Sequence, residues 1–265
     1  MISLSVLDLA AASALVLLLA ATSFWLQLSL ERQLLVAAVR SWVQLALVGL
    51  VLKQIFLLKN PWILALIGLV MLLVAAKEVL SRQQRRFSGY WSYGIGAGSM
   101  FISSFSITFL ALLFLLGNQP WWEPQYSVPL LGMMLGNTMN GIALGLNQVT
   151  EKAYVERDLI EGRLALGQSS GEAVSDIRKR AVQVGLTPIL STMAIAGLVS
   201  LPGMMTGQIL AGGDPFEASK YQVMIIFMIA GGTGFGVLFS VFTASYRLFD
   251  QRGRLRLDRL KSRKF

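Results

Sequence analysis

The side chains of this sequence that could do chemistry are polar or sulfur-bearing groups placed inside long apolar runs. A polar side chain is costly in the hydrocarbon of a membrane, so each one inside a membrane-spanning run is a candidate for function. Amide, thioether and guanidinium groups could line a polar path through a bundle of helices. The candidates are Arg40, Gln44, Met133, Asn137, Asn140, Met204, Met205 and Gln208.

Two sets of these candidates share a helix face. Arg40 and Gln44 belong to a polar stripe about 80° wide at 100° per residue. Met133, Asn137 and Asn140 share a face of about 100°. Each stripe has two interpretations, the wall of a translocation path or ordinary structural contacts. Arg40 can extend to the membrane surface, and amide groups can hydrogen-bond to neighbouring helices.

The segment Gly197 to Gln208 is expected to interrupt a helix, because Pro202 lacks a backbone donor and Gly203 loosens the chain after it. An interrupted backbone at membrane depth persists only where protein or water surrounds it. The methionines and the glutamine that follow would then line an internal space near the outer face. The alternative is a helix end followed by an external hairpin.

Missing residue types exclude several classes of function. The chain has no His and no Cys, so it cannot form a disulfide, a Cys/His metal or haem site, or an imidazole-activated nucleophile. No aspartate pair lies within an apolar run, and Glu78 lies at the end of one, which weakens intramembrane proteolysis and ion-coupled secondary transport. Without a G-x-x-x-x-G-K-[ST] phosphate loop, any ATP hydrolysis must occur in another chain.

The elements that would position these groups are membrane-spanning helices. Of the 265 residues, 55% are hydrophobic and only 14% are charged, whereas a soluble domain carries about 25% charged residues. The sequence predicts an all-α, polytopic membrane protein with about seven crossings. They are expected over residues 7–29, 34–56, 61–80, 91–116, 127–148, 183–201 and 222–246.

The basic residues predict an orientation. If the N-terminus is outside and the C-terminus is cytoplasmic, eighteen Lys and Arg residues fall in cytoplasmic segments and three outside. Such a bias is typical of cytoplasmic loops. The net charge of +9 is therefore explained by membrane topology, and no nucleic-acid partner is expected.

Two cytoplasmic segments are predicted beside the transmembrane domain of residues 1–246. The basic tail of residues 247–265 is expected to anchor topology and to attract anionic membrane lipid. Within the segment 149–182, residues 151–180 carry six acids and six cations with an amphipathic apolar series. Because it has no net attraction to lipid, we expect its exposed face to bind a protein partner.

The chain resembles the membrane subunit of Fet-type iron-export ATP-binding cassette transporters, a family related to plant aluminium-tolerance permeases. The resemblance rests on Gly197 to Gln208, on Asp214-Pro215 and on the triplet Lys220 to Gln222. Arg40 with Gln44, and Gly136-Asn137, extend it over residues 34–246.

The resemblance implies a homodimeric, multi-pass permease of the inner membrane. It works with a cytoplasmic ATP-binding subunit that holds ATP and Mg, while this chain holds no cofactor. Glu161 followed by Gly167 is similar to the coupling loop of such permeases. The residues expected to contact the ATPase are Glu161, Leu164, Leu166, Gly167, Glu172, Asp176 and Ile177.

These observations lead to the hypothesis of a non-enzymatic permease that exports iron, another metal ion or a small solute. The sequence offers no His, Cys or intramembrane carboxylate cluster to hold iron, so an ion would cross hydrated or complexed. Two alternatives remain, an ion-coupled secondary transporter and a membrane scaffold without transport activity.

Overall fold

The computed structural model describes residues 5–58, 60–116 and 122–262. The described chain is predominantly helical. Its longer helices are α1 Val6–Trp25, α2 Glu31–Leu58, α3 Pro61–Ser81, α4 Trp91–Met100, α5 Ser106–Leu116, α6 Pro124–Val155, α9 Ser175–Ile195 and α11 Pro215–Arg247. The shorter elements are the strand β1 Arg85–Phe87, the helices α7 Arg157–Ala165, α8 Ser170–Ala173 and α10 Gly203–Leu210, and the strand β2 Leu260–Ser262.

The starts of α3 and α11 follow from local sequence. The side chain of Asn60 accepts a hydrogen bond from the N–H of Trp62 at 2.9 Å, and a proline follows at the first helical position. Asp214 accepts two backbone N–H groups of the first turn of α11 at 3.0 and 2.9 Å, and Pro215 follows it. A capping side chain followed by proline satisfies free backbone donors and presets the helical angle.

Five helices are long and apolar enough to cross a membrane among the described residues. They are Leu7–Trp25, Glu31–Phe56, Pro61–Ser81, Trp91–Phe114 and Pro215–Arg247. The fourth contains a π-helical turn at Phe101–Phe105 between α4 and α5. The other two predicted crossings correspond to α6, with 32 residues, and α9, with 21, but both are more polar than the five.

The chain forms two compact units, Met1–Lys59 and Asn60–Phe265. In the first unit, α1 packs on α2. The turn between them contains Gln27 and Ser29, both with positive φ, and the backbone N–H of Leu30 donates to the hydroxyl of Ser23 at 3.2 Å.

The second unit is built around α6, which packs against α3, α9 and α11. Buried apolar residues of α6 such as Ile142, Leu146 and Val149 lie in one core with residues of those neighbours. The backbones of α6 and α9 approach closely at Gly141 and Gly185, where a methyl group on either glycine would lie 2.9 Å from the other's carbonyl oxygen. Small residues permit such contacts between membrane helices.

The C-terminal region departs from the predictions of an all-α chain and a simple basic tail. β2 pairs antiparallel with β1, with Phe87 opposite Leu260. Arg259 donates from Nη1 to the carbonyl oxygens of Arg247 and Phe249 at 2.9 and 3.0 Å, which satisfies carbonyl groups at the end of α11. The described part of the tail therefore folds back onto the α3–α4 connection.

Candidate functional site

The first candidate site is a helical hairpin between α6 and α9, formed by α7 and α8. The two short helices are joined at Gly167, whose φ of +89° is a conformation that glycine adopts without strain. At the start of α8, Ser169 and Glu172 form a reciprocal capping box. Local sequence therefore sets both the turn and the second helix.

The hairpin has a buried side and an exposed side. Ile160 of α7 and Ala173 of α8 are buried in the core of the second unit, beside Ile177 of α9. On the outer side Leu159 is half exposed and Leu166, beside the turn, is 86% exposed. The tip of the charge-balanced hairpin therefore presents one apolar side chain that a binding partner would bury.

Ion pairs order the hairpin and attach it to α9. Arg157 pairs with Glu161 at 2.8 Å on the outer side, which raises the pKa of Arg157. Arg163 pairs with Asp176 at 2.9 Å and also donates to the carbonyl oxygen of Ala173 at 3.1 Å. The second pair links α7 directly to the first turn of α9.

The capping carboxylate of Glu172 is charged at neutral pH. It accepts the hydroxyl of Ser169 at 2.6 Å and the backbone N–H of the same residue at 2.8 Å. These two bonds favour the ionised form and lower the pKa of Glu172 below its ordinary value of 4.5.

The predicted contact residues of the hairpin do not all face outward. Glu161, Leu166, Gly167, Glu172 and Asp176 are exposed. Leu164 is partly buried against the core, and Ile177 is buried in it. Leu164 and Ile177 therefore support the hairpin from within. Of the other five, four lie on the outward surface of the hairpin and Asp176 lies in the first turn of α9.

The second candidate site is the polar face of α6. Asn137 is half buried and donates from Nδ2 to the carbonyl oxygen of Met133 in its own helix at 2.9 Å. One helical turn further, Oδ1 of Asn140 accepts a hydrogen bond from Nη1 of Arg82. Asn147 accepts the backbone N–H of Gln84 at 2.8 Å. The predicted stripe therefore has two parts. The described hydrogen bond of the Asn137 side chain stays within its own helix, whereas Asn140 and Asn147 bind the α3–α4 connection.

The same connection makes further contacts with the end of α6. The hydroxyl of Thr150 donates to the carbonyl oxygen of Arg85 at 2.9 Å. The guanidinium of Arg85 lies 3.1 Å from Glu151 and 3.4 Å from the ring centre of Tyr154. Two of the predicted cytoplasmic basic residues, Arg82 and Arg85, thus have structural roles that the count of charges did not reveal.

The predicted interruption before α10 is present. The helix α9 ends at Ile195, Gly197 has a φ of +82°, and α10 begins after the extended residue Pro202. Met204 is exposed at 37%, whereas Met205 and Gln208 are half buried.

Two glutamines near this break have unsatisfied side chains. Oε1 of Gln208 on α10 and Oε1 of Gln222 on α11 are buried without a hydrogen-bond partner among the described residues, and α10 packs on α11. A buried amide oxygen without a partner can accept water or a cation. In the sequence analysis Gln222 serves only as a mark of the family resemblance. A polar glutamine in an apolar run is nevertheless a signal that could have identified it as a candidate.

Interior hydroxyl groups form a further set that sequence reasoning missed. Ser104, Thr108, Thr138 and Thr233 are buried with no partner for their hydroxyl oxygens among the described residues. Beside them, a methyl group at Gly236 would lie 2.7 Å from Thr138 and 2.8 Å from the hydroxyl of Ser103. Gly236 of α11 therefore permits close packing against α6 and the π-helical turn.

Arg40 and Gln44 lie on α2 in the first unit, and both are exposed there. Among the described residues, no three His, Cys, Asp or Glu side chains come together as they would around a metal ion.

Comparison with known proteins gives one family over nearly the whole chain. The model of UPF0014, an uncharacterised protein family, matches residues 6–249. A UPF0014 membrane protein of Synechocystis is 34% identical over 235 residues, 87% of this chain and 88% of that protein. No solved structure matches the chain.

Two further relatives have more informative names. The protein ALUMINUM SENSITIVE 3 of Arabidopsis thaliana is 33% identical over 246 residues, 90% of this chain and 88% of that protein. The probable iron export permease protein FetB of Escherichia coli is 31% identical over 260 residues, 97% of this chain and 96% of that protein.

Proposed function

Because the chain belongs to the UPF0014 family of membrane proteins, we propose that it is the membrane-spanning permease subunit of an ATP-binding cassette transporter. It is a multi-pass membrane protein, as the sequence predicts. The ATP and the Mg would be bound by a separate cytoplasmic subunit, and two copies of this chain would form the permease.

In this proposal α6 and α9 join the five apolar helices to give seven crossings. The helix α6 is enclosed by α3, α9 and α11, so its polar groups need not contact lipid. A helix shielded by its neighbours can cross the membrane with a lower mean hydropathy than a lipid-facing one. Seven crossings place the termini on opposite sides, and the basic residues favour a cytoplasmic C-terminus.

The observation that carries the proposal is the hairpin of α7 and α8. It exposes Leu166 at its tip and an ion-paired Glu161 on its outer side, and Arg163 ties it to α9. A partner that grips this hairpin can therefore move a helix of the membrane bundle. That is the property required of a contact through which an ATPase drives a permease.

For the substrate we propose iron or another metal ion, because one relative is named an iron export permease. The path would pass Met133 and Asn137 on α6 and Met204, Met205 and Gln208 on α10. Neutral donors bind a hydrated or complexed cation more readily than they strip it of its ligands. Export, the direction in that relative's name, is the direction that we propose here.

Binding of an ATPase subunit tests this proposal. Candidate P-loop ATPases, starting with those encoded beside this chain, are co-expressed with it, and the complex is purified through a tag on the permease. Leu166→Glu should abolish recovery of the ATPase. Leu198→Glu is the matched control, because Leu198 is 89% exposed in the break before α10, beyond the opposite end of α9.

Equal recovery with both variants would contradict the assignment of the hairpin. If no P-loop subunit is recovered with the unmodified chain, a scaffold or an ion-coupled transporter would replace the proposal.

A further inference from the structure

A strongly basic cavity lies where α11 ends. It has a volume of about 800 Å³, and its lining includes Arg247, Arg252, Arg254, Arg259 and Asp250. The lining carboxylate of Asp250 pairs with Arg254 at 2.8 Å. The other three arginines have no carboxylate partner among the described residues. The cavity therefore has an excess of positive charge that an anion would balance.

The cavity lies at the end of a helix that is long and apolar enough to cross a membrane. Arg247 is the last residue of the apolar helix α11, and its guanidinium lies 4.2 Å from the ring of Trp91, the first residue of α4. Tyr246 beside it is 87% exposed. Tryptophan and tyrosine concentrate at the interface between hydrocarbon and water, so a ligand in the cavity would lie among lipid headgroups.

A mostly apolar groove continues from the cavity along α11, with the guanidinium of Arg178 4.9 Å from the ring centre of Phe242. A second cavity of about 430 Å³ shares Tyr246 and Phe249 with the first and extends to Phe242 and Phe239. A third, of about 570 Å³, shares those two phenylalanines and extends to Phe235. The spacing of Phe235, Phe239, Phe242 and Tyr246 places them on one face of the helix.

The length of this groove matches a lipid chain. From Phe235 to Tyr246 the helix rises about 17 Å at 1.5 Å per residue. Half of a hydrocarbon core is about 15 Å thick. An anionic end at the membrane surface followed by an apolar stretch of one leaflet is the shape of a single phospholipid.

We propose that this groove binds one anionic phospholipid, with its phosphate among Arg247, Arg252 and Arg259 and an acyl chain along Phe235 to Tyr246. The site is independent of the proposed transport function. In the orientation predicted from the basic residues, the lipid belongs to the cytoplasmic leaflet. Ser170 of α8 lines both the first and the second cavity, so the headgroup would lie beside the hairpin.

Native mass spectrometry of the full chain tests the charged end of the site. The chain is titrated with phosphatidylglycerol and, separately, with phosphatidylcholine. Phosphatidylglycerol should bind more tightly, and Arg247→Gln and Arg252→Gln should each weaken it about fivefold. The matched control is Arg256→Gln, because Arg256 lies on the same tail but pairs with Asp258 at 2.8 Å. An equal loss with the control, or no preference for phosphatidylglycerol, would overturn the proposal.

Two further measurements test the apolar part. Phe242→Ser should weaken the binding of long-chain phosphatidylglycerol but not the binding of glycerol phosphate. If the unmodified chain binds the two ligands equally well, the site is one for free phosphate and not for lipid. If a variant fails to fold, a photoactivatable phosphatidylglycerol should label residues 235–246 of the unmodified chain, and labelling elsewhere would contradict the site.

The absence of cysteine from the sequence permits a test for a competing occupant. The variant Phe239→Cys carries a single thiol. If a lipid fills the groove, this thiol should form no crosslink between two copies of the chain in the membrane. Efficient crosslinking would show that a second copy of the chain covers the groove and would overturn the lipid proposal.

Discussion

Nη2 of Arg163 lies 2.9 Å from Oδ2 of Asp176, and this ion pair joins α7 to the first turn of α9. It is a side-chain ion pair between the exposed hairpin and a helix of the proposed membrane bundle. Because the carboxylate is largely exposed, the pair contributes little to stability, about 1 kcal/mol or less. Its role should therefore appear in coupling and not in folding.

We expect Arg163→Asp to reduce ATP-driven transport at least tenfold while the chain still binds its ATPase. Asp176→Arg added to it restores the ion pair with reversed charges and should recover a substantial part of the flux. Transport is measured in vesicles and ATPase binding by co-purification. An unchanged flux in the single variant would show that α9 is not driven through this pair.

Glu161→Arg should abolish both transport and permease-stimulated ATP hydrolysis, because it places two cations together on the outer side of the hairpin. The matched control is Glu217→Arg. Glu217 pairs with Lys220 at 2.7 Å with similar exposure, but it lies in the first turn of α11, about 45 Å along that helix from Arg247. Equal effects of the two charge reversals would show that the hairpin is not specifically required for coupling.

Asn137→Leu should change the stimulation of ATP hydrolysis by substrate without lowering the basal rate. Among the described contacts, its side chain bonds only to its own helix, so stability should stay within about 0.5 kcal/mol. Asn147→Leu removes the acceptor of the Gln84 N–H and should cost about 1 kcal/mol of stability. If the basal and stimulated rates match those of the unmodified protein, Asn137 serves packing alone.

Gly141→Ala should destabilise the protein by about 1 to 3 kcal/mol, because the added methyl group would lie 2.7 Å from Thr233 and 2.9 Å from the carbonyl oxygen of Gly185. Gly136→Ala, five residues earlier on the same helix but on a different face, is the control. No atom lies within 4 Å of the added methyl group there, so the change should be neutral or stabilise the helix by up to about 1 kcal/mol. Thermal unfolding in detergent measures both, and equal shifts would contradict the close approach of α6 and α9.

The capping box of α8 should weaken in acid. The pKa of Glu172 is lowered in the folded chain, so its contribution is complete above the unfolded pKa near 4.5 and is lost as the pH falls through the lower folded value. The hydrogen-exchange rates of the α8 amides should differ between the unmodified chain and Glu172→Gln at neutral pH. They should become equal once the pH falls below the folded pKa of Glu172. If the ratio of the exchange rates of the two proteins stays constant from pH 3 to pH 7, this carboxylate is not the cap.

Much of the helical framework could be predicted from local sequence. The apolar run 61–80 coincides with Pro61–Ser81, and the run 91–116 with α4 and α5. The helix α11 begins at Pro215, seven residues before the predicted crossing of residues 222–246, because the capping pair Asp214-Pro215 starts the helix ahead of the apolar run. The break around Gly197 and Pro202 followed from backbone chemistry and is present.

The contacts between distant segments could not be predicted in this way. The pairing of β1 with β2 joins two short, basic segments that lie far apart in the sequence, and neither has a pattern that specifies its partner. The hydrogen bond of Arg82 to Asn140 is equally invisible, because spacing along one helix shows which residues share a face but not what packs on it.

The most direct test of the account is flux through the purified chain in sealed vesicles, with and without a P-loop ATPase subunit, using a panel that includes iron. We predict metal movement only when the ATPase subunit and ATP are both present on the side of the hairpin, and none under a proton or sodium gradient alone. Metal flux driven by such a gradient through the chain by itself would contradict the central claim.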